Sequence, residues 1–486
     1  MKKLFSISLL FSVTAMLFTG CVSEEEDLFE SSAAERLMQS KKVYTERLGG
    51  TTWVMEFYPL NTDEAPKGSG YLILNQFKKD CSVIQAMQND LTDGQYLTDT
   101  SLWEVISDQG TVLTFNTYNK CIHTFSDPGL YQTGQGFEGD YEFVILSLEE
   151  GAKYGMLKGK KRATYNRLTR LPDDTNFEEY LQDIVNFQNK VFPSSAPNDC
   201  MMNIGDSTIV FTEGNSGIAS LYPFGGDAIS ETTDHAFLIT KSDGKYYLRF
   251  REELPGKGDD KVQEFVYDEA ADVFKAVDNE NNLIQGPSAG WFYGDALRNG
   301  HKWLLARSAE MSDAMKQIYE NMYNGFRKFG TGKYTLQNVQ FSLVNDDTAD
   351  SGKLKLDIAY RVSNSSAHLL VYYDVAFNDE GVTISNRQPQ GNGQTVIDGI
   401  TGIKEFLTAV EGTFTASPDG SAFDMSTLKL TSATDGNISF VLPFINSLKI
   451  YNYEEIITSN GNAFCRFFWF CTGSRQGCQG CNGSDA

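Results

Sequence analysis

The chain has 486 residues, of which 41% are hydrophobic and 13% aromatic, so it can bury sizeable cores and divide into two or three domains. This composition excludes an intrinsically disordered protein. A formal net charge of -23 argues against nucleic-acid binding, because neutralising phosphates requires clustered lysine and arginine.

The first 20 residues have the layout of a secretory signal peptide: two lysines, an apolar run to Phe18, and the small pair Thr19-Gly20. The run is too short to span a bilayer comfortably. Cleavage after Gly20 leaves Cys21 at the new N-terminus, which resembles the bacterial lipoprotein signal. We expect Cys21 to carry the lipid anchor; the alternative is an ordinary signal peptide in which Cys21 is incidental.

Residues 21–30 form an acidic tether in this interpretation. Its acids repel one another and stay solvated, so they cannot start a folded core. A serine and acids after a lipidated cysteine also resemble the export signal that sends lipoproteins of Bacteroidota to the cell surface, the alternative being a plain spacer. The residues of this signal are Ser23, Glu24, Glu25, Glu26 and Asp27. We therefore expect a protein on the outer membrane that faces the cell exterior.

The first block, residues 31–171, begins with a helix that Gly49-Gly50 ends. Strand signals follow, punctuated by Gly, Pro, Asn and Asp, and they read as an antiparallel meander. They cover 51–59, 70–77, 101–109, 111–119, 121–129 and 139–150. Period-two alternation in the first of them separates two faces, one of which meets a core. The faces are Trp53, Met55 and Phe57, and Val54, Glu56 and Tyr58.

The second block, residues 172–305, starts with a helix over about 176–192, which Pro193 ends. Strand signals resume after this helix and cover 207–213, 235–250 and 261–274. Ser242-Asp243-Gly244 is a hairpin turn inside the middle segment.

The third block, residues 306–462, opens with a helix over about 308–329. Its apolar stripe has helical spacing and indicates core packing, with Met315, Ile318, Met322 and Phe326 as its members. Strand signals cover 353–362, 367–377 and 438–445, and a short helix lies near 403–410. The order helix then strands thus occurs three times.

The last 24 residues, 463–486, differ in composition from the rest and contain Cys465, Cys471, Cys478 and Cys481. Only one C-x-x-C is present, whereas a zinc ribbon has two. Disulfides suit an exported protein, and a structural metal or an accidental extension are the alternatives.

These elements predict an α+β fold that is mostly β, with antiparallel sheets and a few packing helices. The sheets form a meander, a sandwich or a partly open barrel.

Catalytic signals are weak. The four histidines lack the H-x-x-x-H spacing of zinc hydrolases, and the acidic clusters at 278–282 and 345–350 fit solvated loops better than calcium sites. Ser288 satisfies G-x-S-x-G, but that motif needs a strand before and a helix after the serine, and the glycines and Pro287 favour a turn. We expect no catalytic residue, no metal and no cofactor.

Three adjacent aromatic residues, Trp291, Phe292 and Tyr293, lie beside glycines and are candidates for a ligand-binding platform. Burial of at least two of them is the alternative, since aromatic side chains are mostly core material.

Read in order, the segments GTTWVMEFYP, ISDQGTVLTFNTYNKCIHTFSDPG, GDYEFVIL and LKGKKRATYNRLTRLP resemble the Bacteroidota lipoproteins called domain of unknown function 4302, over about residues 28–300. The resemblance implies exported lipoproteins, often encoded near SusC- and SusD-like uptake systems, and it supplies no catalytic residues.

The expected function is an accessory binding protein for glycan or peptide uptake, anchored to the membrane through Cys21 and associated with an outer-membrane transporter complex. A hydrolase acting on such polymers and a structural or adhesive surface protein are the alternatives. No nucleic acid is expected as a partner.

Overall fold

The computed structural model describes residues 31–108, 110–130, 134–193, 199–213, 217–225, 230–255, 261–345 and 348–445. Within these ranges the chain forms three closed, eight-stranded antiparallel β-barrels in series. The predicted mostly-β, antiparallel α+β class is confirmed, and the sheets close fully where the sequence left a meander, a sandwich or a partly open barrel as alternatives.

The first barrel follows helix α1 (Ala33–Leu48), which Ser32 caps through a reciprocal capping box with Glu35. Strand β1 pairs with both β2 and β8, and the second pairing closes the barrel. The strands are β1 (Thr51–Phe57), β2 (Tyr71–Phe77), β3 (Ser82–Met87), β4 (Leu97–Ser107), β5 (Thr111–Phe115), β6 (Glu142–Ser147), β7 (Tyr154–Gly159) and β8 (Tyr165–Leu171).

Helix α2 (Phe177–Val191) precedes the second barrel, and Asn176 caps it by accepting hydrogen bonds from the backbone N–H groups of Glu178 and Glu179. The predicted helix is therefore confirmed. The strands are β9 (Asp199–Ile204), β10 (Ser207–Glu213), β11 (Ile218–Pro223), β12 (Thr233–Ser242), β13 (Lys245–Pro255), β14 (Lys261–Asp268), β15 (Val273–Ala276) and β16 (Leu283–Gln285). The predicted hairpin turn at Ser242-Asp243-Gly244 is present; Asp243 and Gly244, both at positive φ, are its two central residues, and Ser242 pairs with Lys245.

The third barrel contains β17 (Lys302–Leu305), β18 (Tyr334–Leu343), β19 (Leu354–Val362), β20 (Ser365–Asn378), β21 (Gly381–Pro389), β22 (Gly412–Pro418), β23 (Thr427–Ser432) and β24 (Ser439–Ile445). Its helices are α3 (Ala289–Arg298), α4 (Asp313–Lys328), α5 (Gly393–Gly399) and α6 (Ile403–Ala409). Strand β17 pairs with β18 and β24, so the third barrel begins before the predicted boundary at residue 306.

The predicted stripe on α4 packs into the core of the third barrel. Met315, Met322 and Phe326 are fully buried, and Ile318 packs against them. The helix begins five residues later than predicted because Ser312 caps it and Met311 pairs with Phe440 of β24.

Both faces of β1 are buried. Trp53, Met55 and Phe57 fill the first barrel, as alternation predicts, whereas Val54 and Tyr58 belong to the core of the second barrel. Outward-facing side chains of β2 and β3 join them there, namely Leu72, Leu74 and Ala86. The two barrels thus share a wall, and the outer face of β1 supplies part of it.

Four charged side chains cross this wall and form what we call the charge ring. Arg249 of β13 bonds to Glu56 of β1 and, at 2.5 Å, to Glu264 of β14, and Glu264 lies 3.4 Å from Arg167 of β8. Glu56 and Arg167 are cross-strand neighbours, so the charges alternate around the ring. Glu56 and Arg249 are only 2% and 7% exposed, and burying these charges is tolerable because each has an opposite partner.

The second and third barrels are joined by the β22–β23 loop. Phe423 in this loop inserts into the core of the second barrel and meets the ring of Phe274 at 5.9 Å. Asp272 accepts hydrogen bonds from the Ser421 hydroxyl and the Ala422 N–H. A Cβ on Gly286 would lie 1.7 Å from the Ala422 carbonyl oxygen, so this contact requires glycine.

Replacing Glu56 by Ala should destabilise the chain strongly, because Arg249 then loses its most buried partner inside the wall. We expect the free energy of unfolding to fall by about 3 kcal/mol or more. Urea unfolding monitored by tryptophan fluorescence measures it.

Lys153→Met is the matched control, because the Lys153–Asp243 pair also joins the two barrels but is well exposed. Its loss should change the free energy of unfolding far less than the loss of Glu56, because solvent screens an exposed ion pair. Equal effects of the two variants would contradict the assigned importance of the buried ring.

Candidate functional site

The β5–β6 connection, residues 116–141, lies over one end of the first barrel. Its apolar side chains plug the barrel end, where Cys121, Ile122, Phe125 and Phe137 are at most 1% exposed. Phe125 meets the rings of Phe57 and Tyr71 at 4.8 and 4.7 Å. The described parts of this long connection are therefore held by the core beneath them.

The strand predicted at residues 121–129 is wrong. The chain forms a one-turn 3-10 helix there, His123–Ser126, because Cys121, Ile122 and Phe125 all turn toward the barrel interior. A helical turn can place these three side chains on one side. A strand would point Ile122 to the face opposite Cys121 and Phe125, because successive side chains of a strand alternate between faces.

Asn119 fixes the path of the connection from a fully buried position. Its Oδ1 accepts from the Cys121 N–H at 2.9 Å, and its Nδ2 donates to the Ser101 hydroxyl at 3.1 Å. Its own N–H donates to Nδ1 of His123 at 3.1 Å. One buried amide thereby ties the start of the connection to β4 and sets the orientation of the histidine ring.

Three rings form an exposed aromatic stack on this connection. His123 lies between Tyr118 and Tyr141, with ring centroids 5.4 and 4.8 Å away. The two tyrosines are 62% and 41% exposed. Tyr141 is held in place because its carbonyl oxygen accepts a hydrogen bond from the Phe115 N–H. The aromatic stack therefore presents apolar ring surface to solvent on a rigid base.

The histidine of the aromatic stack favours its neutral form. Burial lowers the pKa of His123 from its ordinary value of 6.5, and hydrogen bonds with the backbone of Asn119 and Phe115 act in the opposite direction. The hydrogen bond that Nδ1 accepts requires that nitrogen to be unprotonated. At neutral pH the aromatic stack thus carries no charge of its own.

The predicted platform at Trp291, Phe292 and Tyr293 is wrong for two of its three members. These residues lie on α3, where Phe292 and Tyr293 are 3% and 0% exposed and pack beside Trp303 in the third core. Trp291 is half-buried and meets Phe224 at 5.7 Å. A helix turns adjacent side chains in different directions, so the three rings do not share one surface.

Ser288 precedes α3 and follows β16, so the helix that the sequence did not predict is present. Its backbone, at φ -61° and ψ 134°, has an ordinary extended conformation and lacks the sharp strain of a nucleophile elbow.

Within the described ranges, no group of three or more His, Cys, Asp or Glu side chains is placed to hold a metal ion. Among the described residues, Cys81 and Cys121 form no disulfide. The signal peptide, Cys21, the export signal from Ser23 to Asp27 and the cysteine-rich tail lie outside the described residues.

None of the helices in the described part of the chain is long and apolar enough to cross a membrane.

A family model described as domain of unknown function (DUF4302) matches residues 25–269, just over half of the chain. The chain therefore belongs to this family. The match includes the first barrel with its aromatic stack and most of the second barrel.

Two solved structures are similar to the chain at 9% sequence identity. Intact Ap-TbpB (N and C lobes) is covered over 75% of its length by 81% of this chain, with a TM-score of 0.14. A double mutant of the vaccine antigen transferrin binding protein B from Haemophilus parasuis Hp5 is covered over 74%, with the same TM-score. These values are too low to transfer a fold or a function. No curated protein matches the chain.

Acidification should destabilise the first barrel through His123. Since its pKa is lower in the folded chain, the unfolded chain binds the proton first as the pH falls below 6.5. Stability is therefore full above that pH and decreases below it. An NMR titration of the imidazole signals, assigned with a His123→Gln variant, should show a midpoint below 6.5. A midpoint at or above that value would contradict the expectation.

Proposed function

We propose that this protein is a lipid-anchored outer-membrane protein that binds a glycan at the aromatic stack and works beside an uptake system. The proposal is binding without turnover. The observation that carries it is the exposure of Tyr118 and Tyr141 on a base fixed by Asn119. Single exposed rings are ordinary on protein surfaces, but the two tyrosines with the ring of His123 form one contiguous patch, and such patches mark binding sites.

Aromatic rings suit a glycan because sugar rings have apolar C–H faces that pack on them, while their hydroxyls need polar partners. Such partners flank the aromatic stack. Asn116 and Lys120 are exposed on either side of Tyr118, and Asn116 bonds to Glu104 at 3.2 Å. The rings lie on an open surface, which suits a site along a polymer better than a small enclosed ligand.

A stack that is ordered before binding loses little conformational entropy when the ligand arrives. Tyrosine adds to this advantage, since it provides a large contact area with only two side-chain torsions. The Asn119 hydrogen bonds and the core contacts of Phe125 are what keep the rings in register.

The location of this binding rests on the N-terminal sequence. Cleavage after Gly20 and acylation of Cys21 would anchor the chain, and several acyl chains hold far more firmly than one. Ser23 and the acids that follow it would direct the anchored protein to the exterior face. There the first barrel would meet polymers before an outer-membrane transporter takes them up.

Removing one tyrosine of the aromatic stack should weaken glycan binding. We expect Tyr118→Ala and Tyr141→Ala each to raise the dissociation constant roughly 3–10-fold, the value of one aromatic contact. Affinity electrophoresis in gels containing soluble starch, xylan, galactomannan, pectin or mucin identifies the ligand and measures the change.

The matched control is Tyr165→Ala, because Tyr165 is a similarly exposed tyrosine on the same barrel, 58% exposed against 62% for Tyr118. If Tyr165→Ala lowers the retardation as much as Tyr118→Ala does, the aromatic stack is not the binding site. If none of the polysaccharides retards the protein, the proposal that it binds a glycan is wrong.

Replacing Cys21 by Ala should abolish incorporation of labelled palmitate and release the protein from the membrane fraction. A Cys81→Ala variant, which removes an exposed thiol in the first barrel, should keep both properties. Protease added to intact cells should degrade the anchored wild-type chain. Complete protection would place the protein in the periplasm and contradict the orientation.

A further inference from the structure

A pocket of about 480 Å³ lies between the C-terminal end of α1 and the end of the first barrel where β1 begins and β8 ends. Its base includes Thr51, the buried Trp53 and the two half-buried arginines Arg47 and Arg170. Acidic side chains lie around its mouth, and they are Glu46, Glu149 and Glu150. The pocket combines fixed positive charge inside with negative charge at the rim.

Arg47 keeps part of its guanidinium free for a ligand. Its Nη1 donates to the Leu148 carbonyl oxygen, and the same atom lies 3.9 Å from Glu149, whose side chain is 77% exposed. In the part of the chain that the structure describes, the hydrogen bond and the ion pair of its guanidinium both use Nη1, which leaves Nε and Nη2 for a ligand. These two nitrogens form the edge that binds a carboxylate with two parallel hydrogen bonds.

Arg170 is locked in place beside Arg47. Its Nη1 donates to the carbonyl oxygens of Thr52 and Leu171, and its Nη2 lies 2.8 Å from Asp173. Its guanidinium also lies 5.6 Å from the centre of the Trp53 ring. The side chain therefore needs no rearrangement on binding, and it lines the same pocket as Arg47.

The acidic rim restricts which carboxylates can bind. Glu46, Glu149 and Glu150 are exposed and repel a ligand that carries only negative charge. A ligand with a carboxylate at one end and a cationic group a few bonds away can pair its carboxylate with the arginines at the base and its cation with the glutamates at the rim. A short peptide has this chemistry, with its C-terminal carboxylate and either its amino terminus or a lysine or arginine side chain.

We propose that this pocket binds short peptides by their C-terminal carboxylate, which pairs with Arg47 beside Arg170, while a cationic group of the peptide contacts the acidic rim. This site is separate from the aromatic stack. Tyr141 precedes the first residue of β6 and Leu148 follows the last, so the two sites lie at opposite ends of that strand. The inference does not depend on glycan binding.

The test is isothermal titration calorimetry of the processed chain with the tripeptide Ala-Ala-Lys and its C-terminal amide. The free acid should bind, and the amide should bind about tenfold or more weakly, the value of a lost charge-assisted pair. N-acetyl-Ala-Ala-Ala keeps the carboxylate but lacks a cation, and it should bind more weakly than Ala-Ala-Lys. These comparisons use the unaltered protein, so a folding defect cannot imitate the result.

Variants then locate the site. Arg47→Met should weaken binding of Ala-Ala-Lys about tenfold or more. Arg47→Lys should weaken it less, because lysine keeps the charge but cannot make the two parallel hydrogen bonds of a guanidinium. Arg298→Met removes a half-exposed arginine of the third barrel and should leave binding unchanged. Thermal unfolding checks that Arg47→Met folds, and Tyr118→Ala should leave tripeptide binding intact.

Equal affinity for the acid and the amide overturns the proposal, and so does the absence of binding of either peptide at about 10 mM. Binding that Arg47→Met and Arg298→Met reduce equally overturns it as well. Loss of polysaccharide binding in Tyr118→Ala with retained tripeptide binding separates this inference from the glycan proposal.

Discussion

The wall between the first two barrels depends on four charges, of which Glu56 and Arg249 are buried and Glu264 and Arg167 are half-buried. Arg249 reaches across from β13 and meets Glu56 and Glu264, and Arg167 completes the alternation. Glu56 or Arg249 alone would be expensive to bury, whereas in this unit each lies beside an opposite charge. Because the members come from both barrels, the unit has its partners only when the barrels are docked in this register.

That register determines how the rest of the molecule is arranged. Val54 of β1 and Tyr58, which directly follows that strand, point out of the first barrel and become part of the second core, so neither barrel has a fully polar exterior. Phe423 repeats the arrangement one barrel further along by leaving the third barrel and entering the second. In the described part of the chain, the core of the second barrel therefore contains side chains from both neighbouring barrels.

Much of this fold is predictable from local signals, and the rest is not. Helices α1, α2 and α4 each follow a good capping residue, and the hairpin at Asp243-Gly244 has the composition that its turn type demands. Helix α3 was missed because it contains Gly290 and Gly294, which weaken a helix. Both are needed where α3 touches β20 and β21, since a Cβ on Gly290 would lie 2.3 Å from the Gly381 nitrogen.

The candidate sites were harder to predict for a different reason. Tyr118, His123 and Tyr141 are spread over 24 positions, and the hydrogen bonds of Asn119 and the backbone bond from Phe115 to Tyr141 bring their rings together. Nothing in their types separates an exposed ring from a core ring, which is why Phe292 and Tyr293 looked equally suitable. The role of Glu56 was hidden similarly, since alternation assigns it to an outer face without saying what covers that face.

Closure of the sheets has a consequence for how copies of this chain can associate. An open sheet ends in a strand whose unpaired N–H and C=O groups can capture a strand of a neighbouring molecule. In the described part of the chain each sheet returns to its first strand, through β1–β8, β9–β16 and β17–β24 pairing, so the barrels offer no such edge. Copies of this chain could crowd side by side without polymerising through their backbones.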